Sequence, residues 1–139
     1  MSHVAKIELE INDLDDLKRA CNRLGFEFME NQRTYKWFGQ WVGDYPLPEG
    51  IKKEDLGKCD HAIRVPEAKY EVGIVRRNGT YLLLWDFWSS GGLEEKLGKD
   101  AGLLKQAYAI ERIKRESRRK RYRIREQRTD HGVRLTLTV

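Results

Sequence analysis

The stretch from Val4 to Gly25 limits the possible folds more than any other. Ala5, Ile7, Leu9 and Ile11 alternate with Lys6, Glu8 and Glu10, a period of two that predicts a strand with one buried and one wet face. Asp13 follows, with Asp16 three residues on. Asp13 can accept from the N–H groups of a first helical turn, and acids there suit the helix dipole. Leu14, Leu17, Cys21 and Leu24 then recur at helical spacing, and Gly25 supplies a left-handed stop. A half-wet strand and a one-sided helix each need a covering layer, which points to a two-layer α+β arrangement.

The rest of the chain extends this pattern. A returning strand is expected from Phe26 to about Phe38, broken near Glu30-Asn31-Gln32. Residues 39–60 hold two of the three prolines and four of the twelve glycines, and predict a long loop. Loops of that length are uncommon unless functional or disordered. Strands are expected at Ala62–Val65 and Tyr70–Arg76, and Asn78-Gly79 is a hairpin turn signal. Tyr81–Trp88 is apolar on both sides, as in a central strand covered on both faces. Leu93–Leu97 predicts a short helical turn, followed by a longer helix from about Asp100. Its stripe comprises Ala101, Leu104 and Tyr108, widened by Leu103, Ala107, Ile110 and Ile113. Tyr122–Arg128 and Val133–Val139 form a last hairpin around Asp130-His131-Gly132. The expectation is one α+β domain over residues 1–139, with two helices on one face of a mainly antiparallel sheet. A pseudo-duplicated ferredoxin-like topology is one way to build it.

Charge is unevenly placed. Residues 1–60 hold 9 Lys/Arg and 12 Asp/Glu, whereas residues 61–139 hold 18 and 10. A basic end favours polyanions, whether nucleic acid, acidic lipid or an acidic protein face. Much of the surplus lies in one run: Arg112, Lys114, Arg115, Arg118, Arg119, Lys120, Arg121, Arg123 and Arg125, interrupted by the single acid Glu116. Arginine's planar fork grips phosphate at two points, and such a run can release condensed counterions. Cations also complement the negative end of a helix dipole, but that accounts for three or four of them, not nine. The expected anion-binding residues are Arg112, Arg115, Arg118, Arg119, Lys120, Arg121, Arg123 and Arg125.

Tyr35, Trp37 and Trp41 lead into the long loop and are candidates for an interface or for stacking on unpaired bases. Trp85 and Phe87 are expected in the core. Cys59-Asp60-His61 lacks the paired spacing of a zinc site, and His3 and His131 are the only other histidines. Two cysteines, Cys21 and Cys59, make no disulfide framework. No phosphate loop, serine elbow or HExxH helix occurs, so no catalytic residue, metal or cofactor is assigned. Asp86, between Trp85 and Phe87, is a partly buried acid, a polar position on the wetter face, or the partner of an arginine. No apolar run approaches the roughly 18 residues of a membrane span, and the acidic, alternating N-terminus is unlike a signal peptide. A cytoplasmic, reducing location without membrane contact is expected.

Three blocks resemble a family of uncharacterised proteins shared by cyanobacteria, algal plastids, other bacteria and some phages. They are Met1–Gly25, with its MSH-x-x-KI-x-x-x-I-x-DLDDLKRA pattern; Tyr70-Glu71-Val72-Gly73-Ile74 with Asn78-Gly79 and Tyr81–Trp88; and Leu103–Ala109 with the final strand pair. The resemblance implies a small α+β domain and no established activity. Bacterial relatives that look like accessory genes beside ATPases imply an interaction role.

Three functional expectations follow. The first is a non-enzymatic basic module that contacts an anionic partner, nucleic acid before acidic protein. The second is a protein–protein adaptor or assembly subunit, homo-oligomers included. A small-ligand or nucleotide-binding protein stands third, on Asp86 and the arginines.

Overall fold

A computed structural model describes residues 3–41, 43 and 45–139; Met1 and Ser2 of the opening block, and Val42 and Asp44 of the long loop, lie outside the described residues. Strand β1 (Val4–Ile11) leads into helix α1 (Leu14–Leu24). The Asp13 carboxylate accepts from the amides of Asp15 and Asp16, at 2.8 and 3.4 Å. A cap of this kind stabilises a helix by about 1 kcal/mol. At the other end Gly25 sits at φ 77°, and the Phe26 amide reaches back to the Cys21 carbonyl at 2.8 Å. Only glycine takes that backbone conformation without strain.

Strands β2 (Glu27–Met29), β3 (His61–Arg64), β4 (Glu71–Arg77) and β5 (Thr80–Asp86) complete a five-stranded sheet of order β1-β5-β4-β3-β2. Every pairing is antiparallel. The β4–β5 turn places Asn78 and Gly79 at φ 50° and 80°, matching the right-handed twist of the flanking strands. Strand β2 is shorter than expected, because the chain leaves the sheet after Met29. Helix α2 (Leu93–Leu97) precedes the long helix α3 (Gly102–Arg119). Helices α1 and α3 pack on one sheet face, over Ile7, Ile11, Ile63, Val72, Ile74, Leu83 and Trp85. On α3, Leu104, Ala107, Tyr108 and Ile110 are buried, whereas Leu103 and Ile113 lie outside the core, 47% and 39% exposed.

The long loop covers the other face. The described residues of 30–60 carry a 3-10 turn (Lys53–Asp55) and lay Tyr35, Ile51 and Leu56 against Val4, Ala62 and Leu84, with Trp37, Trp41 and Leu47 at the margin. Strand β5 is therefore covered on both faces: Leu83 and Trp85 face the helices, Leu84 faces the loop. A loop of this length is retained here because the second sheet face needs an apolar cover.

The last two strands, β6 (Arg123–Thr129) and β7 (Gly132–Thr138), pair only with each other among the described residues. They lie on the side of the helices away from the sheet, so a ferredoxin-like duplication is not built. Polar side chains explain this. Arg123, Arg125 and Gln127 project from one side of β6, and Glu126 and Arg128 from the other, leaving Ile124 alone to bury. A strand of that composition cannot enter a sheet covered on both faces.

Candidate anion-binding interface

The basic run divides into cations already engaged and cations left facing water. Arg115 Nε lies 2.8 Å from Asp16 Oδ2 and 3.4 Å from Asp13 Oδ2. Asp16 is fully buried, and Arg19 also reaches it at 3.4 Å. The bond to Asp16 raises the Arg115 pKa and ties α3 to the start of α1. Arg112 lies 3.8 Å from Glu116 along the helix. Lys114 bonds Glu126 at 2.7 Å, and Arg23 grips Glu126 and approaches Glu111 at 3.5 Å. Arg112 and Arg115, two of the eight expected anion-binding residues, therefore have carboxylate partners: Arg115 ties α3 to α1, whereas Arg112 makes an exposed pair within α3.

The other six, Arg118, Arg119, Lys120, Arg121, Arg123 and Arg125, are exposed, and none has a carboxylate within 4 Å among the described residues. Local structure gathers them. Helix α3 closes with the Lys120 amide on the Glu116 carbonyl (3.0 Å) and the Tyr122 amide on the Ser117 carbonyl (2.8 Å). Arg121 occupies the left-handed position at φ 59°, turning the chain back into β6. Four cations thus sit at the negative end of a helix dipole, next to the first residues of a ribbon.

In the ribbon, directly opposed residues share a face. Ile124, Glu126 and Arg128 oppose Leu137, Leu135 and Val133. This is the inner face, since Glu126 reaches Arg23 and Lys114, and Ile124, Val133 and Leu135 are half-buried. The outer face carries Arg123, Arg125, Gln127, Arg134, Thr136 and Thr138 and no acid. Arg134 lies outside the anion-binding set expected from the sequence. Its alternation with Val133 and Leu135 marked a wet face, but only the β6–β7 register sets it beside Arg125 and Gln127.

Glu126 anchors the inner face. Hydrogen bonds from Arg23 and then Lys114 hold its carboxyl at about 2, against an ordinary 4.5. Because the folded-state value is depressed, the stabilisation it supplies is complete above about pH 4.5 and is lost as pH falls toward 2. Protection of the β6 and β7 amides, taken relative to intrinsic exchange at each pH, is expected to fall across that window before the five-stranded sheet opens. Unchanged ribbon protection between those limits would rule the anchor out.

The aromatic candidates lie elsewhere. Tyr35 is only 3% exposed, with its ring over Gly73 of β4. Burial pushes its hydroxyl up to about 12, with the Gly57 backbone pulling the other way. Trp37 packs on Gly57, and Trp41 donates from Nε1 to the Tyr45 carbonyl at 3.1 Å with Lys53 over its ring. Both indoles are half-buried in the loop cover. Tyr35 thus has no surface to stack a base, and Trp37 and Trp41 sit on the face of the sheet opposite the helices and ribbon. The sheet and helix layers separate them from the cations.

Cys59, Asp60 and His61 are joined to their surroundings rather than to one another. Cys59 Sγ donates to the Gln32 carbonyl at 3.2 Å, Asp60 accepts from the Arg76 amide at 2.7 Å, and His61 Nδ1 accepts from the Asn31 amide at 2.9 Å. Burial raises the Cys21 and Cys59 thiols to about 12 and about 11, so both stay protonated at neutral pH. Asp86 meets no arginine among the described residues. Its carboxylate accepts from the amides of His3, Phe38 and Trp88. Among the described residues, no helix is long and apolar enough to cross a membrane.

The arrangement defines a small α+β domain with a basic, acid-free ribbon face. No protein-family model, no curated protein and no solved structure matches the chain.

Proposed function

We propose that this protein is a non-enzymatic binding module that contacts a polyanion, nucleic acid in particular, through the end of α3 and the β6–β7 ribbon. The reading is carried by one observation: six cations from Arg118 to Arg125 face water without a carboxylate partner among the described residues, beside an outer ribbon face free of acid. Cations with no internal partner can exchange condensed counterions for protein contact, and affinity then falls steeply with salt. Binding of fluorescent DNA and RNA should be measurable at low salt and weaken as salt rises. Replacing Arg118, Arg119, Arg121 and Arg123 together by alanine should flatten the log–log salt slope by roughly 0.9 for each duplex phosphate no longer neutralised. These side chains are exposed, so the variant should keep the parent's fold, with only a small drop in melting temperature from the cations removed at the helix end. No retention of any nucleic acid at low salt would overturn the reading.

A protein–protein adaptor is the second reading. It is favoured by a groove of about 420 Å³ between the edge of β1 and α3, where Leu9, Tyr108, Ala109 and the exposed Ile113 meet. Membership of the uncharacterised family that the sequence resembles, some of whose bacterial members look like accessory genes beside ATPases, would point the same way. A larger complex that persists at high salt and holds no nucleic acid would favour it over the first.

A further inference from the structure

We infer that the outer face of the β6–β7 ribbon enters the major groove of duplex DNA and touches base edges there, while Arg118, Arg119, Lys120 and Arg121 hold the flanking phosphates. This rests on the polyanion reading above and names the form of nucleic acid and the manner of contact.

Shape comes first. The ribbon is two strands of seven residues in unbroken register, from Arg123 opposite Thr138 to Thr129 opposite Gly132. At roughly 3.3 Å per residue it is about 23 Å long. A two-stranded ribbon fits the major groove of B-form DNA, about 12 Å wide, whereas the major groove of A-form RNA is too deep and narrow for side chains to read. The inner face rests on the helices through Glu126, so the outer face is the one presented.

Chemistry comes second. Phosphate binding needs only charge, and the helix end already supplies four cations. The ribbon face adds a different set: Arg123, Arg125 and Arg134 with Gln127, Thr136 and Thr138. Arginine forks match the O6 and N7 of guanine, glutamine matches the N6 and N7 of adenine, and threonine meets the thymine methyl. Gln127 lies directly opposite Arg134, and Arg125 opposite Thr136, so two neighbouring rungs each offer a mixed pair.

Single strands are disfavoured by what that face lacks. Unpaired bases are held by stacking on aromatic rings. The outer face bears no aromatic, and Tyr35, Trp37 and Trp41 lie in the loop cover.

The full chain is titrated by fluorescence anisotropy against duplex DNA, the matching single strand and duplex RNA. Selection from a random duplex pool then supplies a preferred site. Duplex DNA is expected to bind on the order of 10-fold more tightly than the other two. Gln127→Ala and Arg134→Ala should each weaken binding to the selected site on the order of 10-fold, as removing one bidentate base pairing does. Neither should change the melting temperature, since both side chains are exposed. Methylation of guanine N7 in that site should block binding, and a minor-groove ligand should not. Equal binding of all three nucleic acids, with both variants like the parent, would overturn groove entry and leave the polyanion reading standing. Binding to none of them would overturn both.

Discussion

Asp86→Ala is expected to lower the unfolding free energy by about 3–5 kcal/mol and to release the loop cover from the sheet. The side chain is fully buried at the end of β5, on the face away from the helices. Oδ1 accepts from the amides of His3 at 3.0 Å and Trp88 at 3.1 Å, and Oδ2 from the amide of Phe38 at 3.0 Å. These amides belong to the segment before β1, the chain after β5 and the loop. One carboxylate therefore ties the loop to the ends of β1 and β5, which are themselves joined by the Phe87 amide on the His3 carbonyl at 3.1 Å. Hydrogen bonds to a charged acceptor are worth roughly 1.5–3 kcal/mol each, and removing the acceptor leaves its donors unsatisfied. The gain from no longer burying a charge offsets part of the sum. Asp86→Asn should recover only part of the loss, because its amide nitrogen would face a donor. Urea unfolding gives the magnitude, and amide exchange should show residues 30–60 opening first. A loss below about 1 kcal/mol would mean that the carboxylate is not the clasp.

Gly73→Val is expected to cost about 3 kcal/mol, by displacing Tyr35 from the sheet. Gly73 lies in the middle of β4, between Ala62 of β3 and Leu84 of β5. A Cβ there would come within 2.3 Å of Tyr35 Cδ1 and 2.6 Å of Cε1. The ring is buried and is carried by the same loop that Asp86 clasps. Gly73→Ala should show a smaller loss of the same kind. If the overlap is the cause, Gly73→Val combined with Tyr35→Ala will cost less than the sum of the two, with coupling on the order of 1 kcal/mol. Additive losses measured by urea unfolding would place the damage in the strand itself.

Local signals in the sequence were reliable where the chemistry was local. Asp13 and Gly25 bound α1 because a cap needs only the next few residues. Asn78-Gly79 turns β4 into β5 for the same reason. The two-sided apolar pattern of β5 marked it as central, and it lies between β1 and β4. The loop over residues 39–60 was recognisable as a loop, but its task was not. Its apolar residues follow no period, and their common surface exists only once the sheet does.

The candidate site was half legible. The run from Arg112 to Arg125 marked the basic end. Which of its members stay unpaired depended on Asp16, 99 residues from Arg115 in sequence. It depended equally on the placement of Glu126 over Arg23 and Lys114. Arg134 joined the group through strand register, and Trp37 and Trp41 were separated from it by the layers between.

The sequence by itself therefore determined the helices, the turns, the central strand and the α+β class, all set by hydrophobic period and by side chain–backbone bonds within a few residues. The tertiary structure alone decided that the last hairpin stands apart from the sheet, that the loop seals the second face, and which arginines remain free. Those outcomes depend on contacts between residues far apart in the chain, where burial and charge pairing are resolved only after the layers assemble.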